Sequence, residues 1–373
     1  MVSLMLNIRA LHVSWGKMQG VFLHRRVFTQ MKKETVTTNQ ITEGVIWKQL
    51  LLFFFPIVLG TFFQQLYNTA DTIVVGRFVS KEALAAVGGS AAQIVGLIVG
   101  FFVGLASGAS VIISQFYGAK NRVQLNRALH TAYAFSIIGS IFITVLGILI
   151  APWMLELMHT PQETMADALL YLRIYFAGII FVFIYNVGSS ILRAMGDSRR
   201  PLYYLIVCCF LNIVLDIVLV IVFHMGVAGV SIATILSQGV SAVLITRALM
   251  HSDDLYQLEF RKIRFHKAAL ISLIWVGCPT GIQSVLYSVT NMLIQTFLNL
   301  GTDTVAAWSA FGKIDSLYWM VNNAFGIAVT TFVGQNFGAG KYDRMKKSVR
   351  IGLCMGLCTA LTLTLIFYNF GTP

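Results

Sequence analysis

The chain has 373 residues, of which 57% are hydrophobic and only 11% are charged, and its mean hydropathy is +0.76. Soluble domains carry about 25% charged residues. The composition therefore excludes an ordinary soluble enzyme and predicts an all-α polytopic membrane protein. The net charge of +12 could suggest that the protein binds nucleic acid. Its position in alternate loops instead indicates contact with anionic lipid.

Nine apolar runs succeed one another along the chain, and each reaches the ~20 residues that a membrane-crossing helix requires. These predicted spans, numbered 1 to 9, cover residues 47–76, 83–117, 125–152, 165–194, 200–224, 226–250, 268–299, 304–338 and 346–370. No nucleophile–base pair, metal-ligand spacing or phosphate loop accompanies them, so we expect a membrane protein that is not an enzyme.

Lysine and arginine are concentrated before span 1 and in the loops after spans 2, 4, 6 and 8. Arg127 follows span 2, and Arg264 and Lys267 follow span 6, whereas the alternate loops carry few basic residues. Basic loops face the cytoplasm in multi-pass proteins. The sequence therefore predicts a cytoplasmic amino terminus and a location in the plasma or inner membrane.

An internal repeat relates spans 7–9 to spans 1–3. SQFYGAKNR at residues 114–122 resembles GQNFGAGKYDR at 334–344, some 220 residues later, and Pro56 of span 1 is matched by Pro279 of span 7. Both copies start from the same side, so the repeat is parallel. It predicts two helical lobes, the first with six spans and the second with three of an expected six.

This organisation predicts four segments: a cytoplasmic extension (1–46), an amino-terminal lobe (47–250), a cytoplasmic inter-lobe loop (251–267) and a carboxy-terminal lobe (268–373). Since three spans of the second lobe are missing, we expect the chain to be truncated at its carboxyl end. Either Met1 or Met31 is the expected start.

Polar residues in spans 1, 5 and 6 fall in one layer of the predicted bundle. Asp71, Asp216 and Thr234 lie six to eight residues from the same end of their spans, which is ~9–12 Å at the helical rise. Further polar residues lie on the same helix faces as the two carboxylates. Asn212 is one turn from Asp216, and Gln64 and Tyr67 precede Asp71 by seven and four residues.

Such a layer has two chemical uses. Carboxylate, amide and hydroxyl oxygens form a site for a small hard cation such as Na⁺. Alternatively, two carboxylates at low dielectric hold a proton. Structural interpretations also stand: Asp71 could pair with Arg77 at the membrane surface, and Asn212 and Thr234 are typical interhelical hydrogen-bonding groups.

Several motifs together resemble one transporter family. They are QQLYNTADTIVVGR (64–77) downstream of Pro56, SQFYGAKN (114–121), RAMGDSRRP (193–201) and LNIVLDIVL (211–219), followed by Thr234. In this order they resemble multidrug and toxic compound extrusion (MATE) transporters of the bacterial type. The resemblance covers about residues 45–373.

The resemblance implies twelve helices in two lobes around a central cavity. It further implies alternating-access export of small organic cations and amphiphilic drugs in exchange for Na⁺ or H⁺, with no other cofactor. By this resemblance, the residues of the family's cation site correspond to Asp71, Asn212, Asp216 and Thr234. Positions that line the family's cavity correspond to Gln64 and Tyr67. The proline that bends the family's first helix corresponds to Pro56, and Pro279 is its counterpart in the repeat. The expected partners are drugs and membrane lipids, without nucleic acid, and the expected state is a monomer.

Two alternatives stay open at this stage. A lipid-linked oligosaccharide flippase of the same superfamily would need cationic side chains in its cavity for pyrophosphate, and Lys313 is the mid-span candidate. A truncated remnant without activity is the other. The sequence identifies neither the compounds carried nor the coupling ion, because the same oxygens suit Na⁺ and H⁺.

Overall fold

The computed structural model describes residues 41–252, 256–298 and 302–370. Most of the predicted 1–46 extension therefore lies outside the described residues, as does the side chain of Lys313. Within the described part, the long elements are all α-helices, which confirms the predicted fold class.

Ten α-helices are described in this part of the chain. Their bounds are α1 (Ile46–Phe78), α2 (Lys81–Gly88), α3 (Ser90–Gly118), α4 (Arg122–Leu157), α5 (Gln162–Ala194), α6 (Arg199–Asp216), α7 (Gly226–Met250), α8 (Lys267–Leu298), α9 (Thr302–Gly338) and α10 (Tyr342–Phe370). Among the residues searched, eight segments are long and apolar enough to cross a membrane. The remaining predicted span, span 8, corresponds to α9, which is 37 residues long.

Span 2 differs from the prediction because it contains two helices. Ser80 caps α2 by accepting a hydrogen bond from the Ala83 amide at 2.9 Å. The helix ends at Gly88, and the amide of Gly89 bonds to the Ala85 carbonyl. A Cβ at Gly89 would overlap that carbonyl oxygen. Two successive glycines weaken the helix here, so the chain bends between α2 and α3.

Span 5 also departs from a regular α-helix. Immediately after Asp216, residues Ile217–Val222 form a π-helical segment, and the amide of Phe223 bonds to the carbonyl five residues back, at Val218. Wider turns of this kind are rare and often lie at functional sites. The irregularity therefore adjoins one of the candidate carboxylates.

The two halves of the chain contact each other through helices that the repeat makes equivalent. α3 of the first half packs against α8 of the second, and α9 of the second half packs against both α1 and α3 of the first. A Cβ at Gly118 would overlap the backbone of Gln335, and one at Gly338 would overlap the backbone of Gln115. These two contacts interchange under the 220-residue repeat, as expected for a parallel arrangement with a two-fold axis.

The contacts at Gly118 and Gly338 lie at one end of the bundle, where α1, α4, α8 and α10 begin and α3 and α9 end; we call it the basic end. Arg344 of α10 binds the chain just before α1. Its Nε donates to the Ile41 carbonyl at 3.2 Å, Nη1 to Gly44 at 2.7 Å, and Nη2 to Glu43 at 2.8 Å. The guanidinium also bonds to Gln49 Oε1 at 2.9 Å. The Arg344 side chain therefore links the second half of the chain to the beginning of the first.

The apolar core lies mainly within the first half. One cluster joins α3, α4, α5 and α7 near the basic end, and a second joins α2 to α5 toward the opposite end. A third, built on Phe54 and Phe325, connects α1 to α9. These two rings stack with their centroids 4.0 Å apart. The first half is thus packed mainly through α3, α4, α5 and α7, while α1 also packs against the second half.

Candidate cation site

Asp71 lies in the third-to-last turn of α1 and is buried, with 8% of its surface exposed. Its Oδ2 accepts a hydrogen bond from Thr234 Oγ1 of α7 at 3.3 Å. Thr234 is 5% exposed. The interpretation of Asp71 as a surface residue that pairs with Arg77 is therefore wrong, because the carboxylate points into the bundle rather than to its surface.

Asp216 and Asn212 bring α6 to the same place. Both side chains lie within interaction distance of the Asp71 carboxylate, and both are fully buried. They are four residues apart in one helix, so they share a face. The structure thus brings together the three residues that the depth of the spans placed in one layer, Asp71, Asp216 and Thr234, and adds Asn212 from the adjacent turn of α6.

Several polar atoms at this place have no hydrogen-bond partner among the described residues. They are Asp71 Oδ1, both carboxylate oxygens of Asp216, and Oδ1 and Nδ2 of Asn212. A buried polar group without a partner is costly, more so when it carries charge. Four such oxygens within one buried cluster fit a small cation or a shared proton, since either would satisfy them.

Tyr67 and Gln64, predicted to line a cavity beside Asp71, are placed differently from each other. Tyr67 is buried, and its hydroxyl accepts a hydrogen bond from Gln238 Nε2 of α7 at 3.3 Å. Gln64 is exposed on α1. Gln238 was not predicted, although it lies one turn after Thr234 on the same face of α7.

Two tyrosines of α5 complete the surroundings and were also missed. Tyr171 and Tyr175 lie within reach of the charge of Asp71, and their rings stack with centroids 6.0 Å apart. Their four-residue spacing marks one helix face. Spacing alone, however, does not distinguish tyrosines of a polar site from tyrosines that pack against lipid, so the sequence offered no usable sign of this role.

The two predicted bending residues both lie inside long helices. Pro56 is in α1, fifteen residues before Asp71, and Pro279 is in α8. A proline within a helix removes a backbone donor and leaves the carbonyl four residues earlier unbonded. Each helix therefore has a weak point in the half near the basic end.

Known proteins resemble this chain over most of its length. The family model described as MatE matches residues 56–218 and 279–373. The chain is 29% identical over 351 residues to the probable multidrug resistance protein YoeA of Bacillus subtilis (strain 168), covering 91% of this chain and 75% of YoeA. It is 33% identical over 307 residues to YpnP, a probable multidrug resistance protein of the same strain, covering 82% of this chain and 68% of YpnP.

A solved structure shares the fold. A MOP superfamily transporter from Pyrococcus furiosus superposes with a TM-score of 0.83 at 24% identity. The match covers 91% of this chain and 75% of the other.

Proposed function

Because the chain belongs to the MatE family of multidrug transporters, we propose that it exports cationic and amphiphilic compounds in exchange for Na⁺ or H⁺. Two relatives that cover most of the chain are named as probable multidrug resistance proteins. The export direction, the substrate class and the coupling ion are parts of the proposal.

The observation that carries the proposal is the pairing of Asp71 and Asp216 within a buried polar cluster. Two carboxylates held close at low dielectric do not both stay ionised without a compensating charge. A proton on one of them, or a cation between them, supplies that charge. The cluster is therefore expected to load and unload a single positive charge.

Binding of a proton or a cation at this cluster can shift the equilibrium between two arrangements of the two halves. Asp71 is on α1, the helix that stacks on α9 through Phe54 and Phe325, while Asp216 and Thr234 are on α6 and α7 of the first half. A charge that draws Asp71 toward α6 and α7 acts on the same helix that contacts the second half. Ion binding shifts a conformational equilibrium only by its difference in affinity for the two states.

Substrate and ion are proposed to compete through this site. Gln64 and neighbouring polar residues of α1 are exposed one to two turns before Asp71, which gives an organic cation a polar path toward the carboxylates. An arriving substrate with positive charge would favour release of the coupling ion.

The arrangement in the membrane is part of the same proposal. The protein is a multi-pass membrane protein, and we place its basic end in the cytoplasm because that end carries the clusters of lysine and arginine. We propose that residues 47–250 and 268–373 move as two lobes joined by the loop 251–267, and that the working unit is a monomer in the plasma or inner membrane.

Two measurements test the proposed role of the carboxylates. Efflux of a cationic dye from cells expressing the chain should be lost in Asp71→Asn and Asp216→Asn but kept in Asp343→Asn, a matched change at an exposed position. Purified protein should also gain thermal stability with rising Na⁺ or falling pH, because a ligand that binds only the folded state stabilises it. That gain should be absent in the two site variants.

The outcomes separate the parts of the proposal. Stabilisation by Na⁺ at constant pH selects Na⁺ as the ion, whereas a response to pH alone that vanishes in Asp71→Asn selects H⁺. Unchanged efflux and unchanged ion response in both site variants would refute the coupling role.

A further inference from the structure

An open pocket of about 440 Å³ lies at the basic end, between the beginnings of α4 and α8. Its walls come from the first two turns of α4, from the loop that precedes α8, and from the first turn of α8. The lining residues are Gln124, Arg127, Arg264, Phe265, His266, Lys267, Ala268 and Ala269. The pocket is distant in sequence from every residue of the cation site.

The pocket is lined by three cationic side chains and no carboxylate. Arg127, Arg264 and Lys267 form no ion pair within the described residues, and all three are exposed. Glu259, on the same loop, is bonded to Lys262 at 2.5 Å. Positive charges gathered around a concave surface without counter-charges attract an anion.

The loop that carries two of these cations is held in place against α4. The His266 amide donates to Thr131 Oγ1 at 3.2 Å, and His266 Nδ1 lies 3.3 Å from the same hydroxyl. Burial and the charges of Arg264, Arg127 and His130 lower the pKa of His266. These bonds hold the loop in place, and the lowered pKa of His266 reflects the positive charges around the pocket.

We propose that this pocket binds the phosphate group of an anionic phospholipid. Arginine and lysine are the side chains suited to phosphate oxygens, and basic pockets between transmembrane helices on the cytoplasmic side bind lipid head groups. Phe265, 41% exposed beside the cations, offers an apolar contact for the glycerol and acyl region. A free phosphate shares the head-group chemistry, but the position at the ends of two spans favours the lipid.

A lipid phosphate at this position would join the two halves of the protein. Arg127 belongs to α4 of the first half, and Lys267 begins α8 of the second. Apart from Phe265 and the two alanines, the lining is polar, so a phosphate would replace repulsion between the cations by attraction to a common anion. The inference does not depend on the proposed export function; it requires only that the chain lies in a membrane.

Lipid titration of the purified protein, followed by native mass spectrometry, tests this pocket. Phosphatidylglycerol should bind more tightly than phosphatidylcholine with the same acyl chains. The double variant Arg127→Gln with Lys267→Gln should weaken phosphatidylglycerol binding about 25-fold, at about fivefold for each charge removed near a head group. Arg127→Lys, which keeps the charge, should retain most of the affinity.

The matched control is Lys346→Gln with Lys347→Gln, which removes two exposed charges at the same end of the molecule but outside the pocket. Equal weakening in both double variants would mean that surface charge alone attracts the lipid, and would overturn the proposal. Unchanged binding in the pocket variant would overturn it as well. Inorganic phosphate is a second probe: binding of this ion but not of phosphatidylglycerol, lost in the pocket variant, would overturn the lipid as the source.

Discussion

Thr234 Oγ1 lies between two acceptors, the Asp71 carboxylate at 3.3 Å and the carbonyl of Val230 in its own helix at 3.0 Å. A hydroxyl has one hydrogen to donate, so the two acceptors compete for it. An ionised Asp71 draws the hydrogen across to α1, whereas a protonated or cation-bound Asp71 releases it to the backbone of α7. On the proposed function, Thr234 would couple the charge state of Asp71 to the hydrogen bonding of α1 and α7.

The first prediction concerns this hydroxyl. Thr234→Val keeps the shape of the side chain but removes the donor, leaving Asp71 Oδ2 without its bond from α7. Hydrogen bonds to charged groups contribute about 1.5–3 kcal/mol. The apparent affinity of the site for its ion should therefore change by about tenfold or more, measured as the shift in the Na⁺ or pH midpoint of thermal stabilisation. Thr234→Ser, which keeps the hydroxyl, should behave as the parent; a shift of equal size in both would contradict the role.

A second prediction concerns the bond between Tyr67 and Gln238. Tyr67→Phe removes the acceptor of Gln238 Nε2, and Gln238 Oε1 already lacks a partner in the described part of the chain. A buried amide left without bonds should cost about 1–3 kcal/mol in the free energy of unfolding. Thermal unfolding should show the loss, and Tyr368→Phe, at a position 79% exposed, should show none.

The third prediction tests the close approach of the two halves at Gly118. A methyl group there would overlap the backbone of Gln335, so α3 and α9 must separate to admit it. Overpacking of this kind typically costs about 1–3 kcal/mol. Spin labels at the exposed positions Arg122 and Asp343 should report longer distances in Gly118→Ala. Gly356→Ala, where a Cβ has no neighbour within 4 Å, should leave the distances unchanged.

Arg344 is the subject of the fourth prediction. Its planar guanidinium reaches three backbone carbonyls and one amide side chain at once, a geometry that a lysine ammonium does not reproduce. Arg344→Lys should therefore free the segment that precedes α1 and loosen the first turn of α1, with amide hydrogen exchange at residues 45–50 faster by about tenfold or more. Arg350→Lys on the same helix is the control, because its side chain is exposed. Equal exchange in the two variants would show that the segment is held by other contacts.

The sequence predicted the buried cluster around Asp71 because membrane helices constrain the depth of each residue. Asp71, Asp216 and Thr234 could be assigned to one layer from span ends and helical rise alone. Residues on the same faces, such as Gln238, were missed because an uncharged polar side chain in a span is common and has no partner identifiable from sequence.

Interactions with the backbone were not predictable in the same way. The acceptors of Arg344 are carbonyls, which every residue has, so the sequence shows only a basic loop. The bend at Gly88 and Gly89 left a trace in the two glycines, but glycine pairs also occur in unbroken membrane helices. The π-helical segment after Asp216 consists of Ile, Val and Leu, which pack equally well in a regular helix.

The last prediction concerns the pH dependence of the loop that precedes α8. The folded state lowers the pKa of His266 through burial and through Arg264 and Arg127, so the unfolded chain binds a proton there more readily. Its contribution to stability is therefore present at neutral pH and is lost as the pH falls below about 6.5.

Protonation would also place a second positive charge against Arg264, whose Nε donates to His266 Nε2 at 3.4 Å. Since the ring is partly exposed, the effect should stay below about 1 kcal/mol. Thermal unfolding at pH 7.5 and 5.5 is compared in the Asp71→Asn background, which removes the stabilisation by protons proposed for the carboxylates. With that variant as the parent, the fall should be smaller in His266→Asn, while the exposed control His251→Asn should match the parent. Phosphatidylglycerol in the adjoining pocket should reduce the fall in the parent, because its phosphate offsets the field of the arginines. A fall of the same size in all three proteins would mean that His266 is not the titrating group.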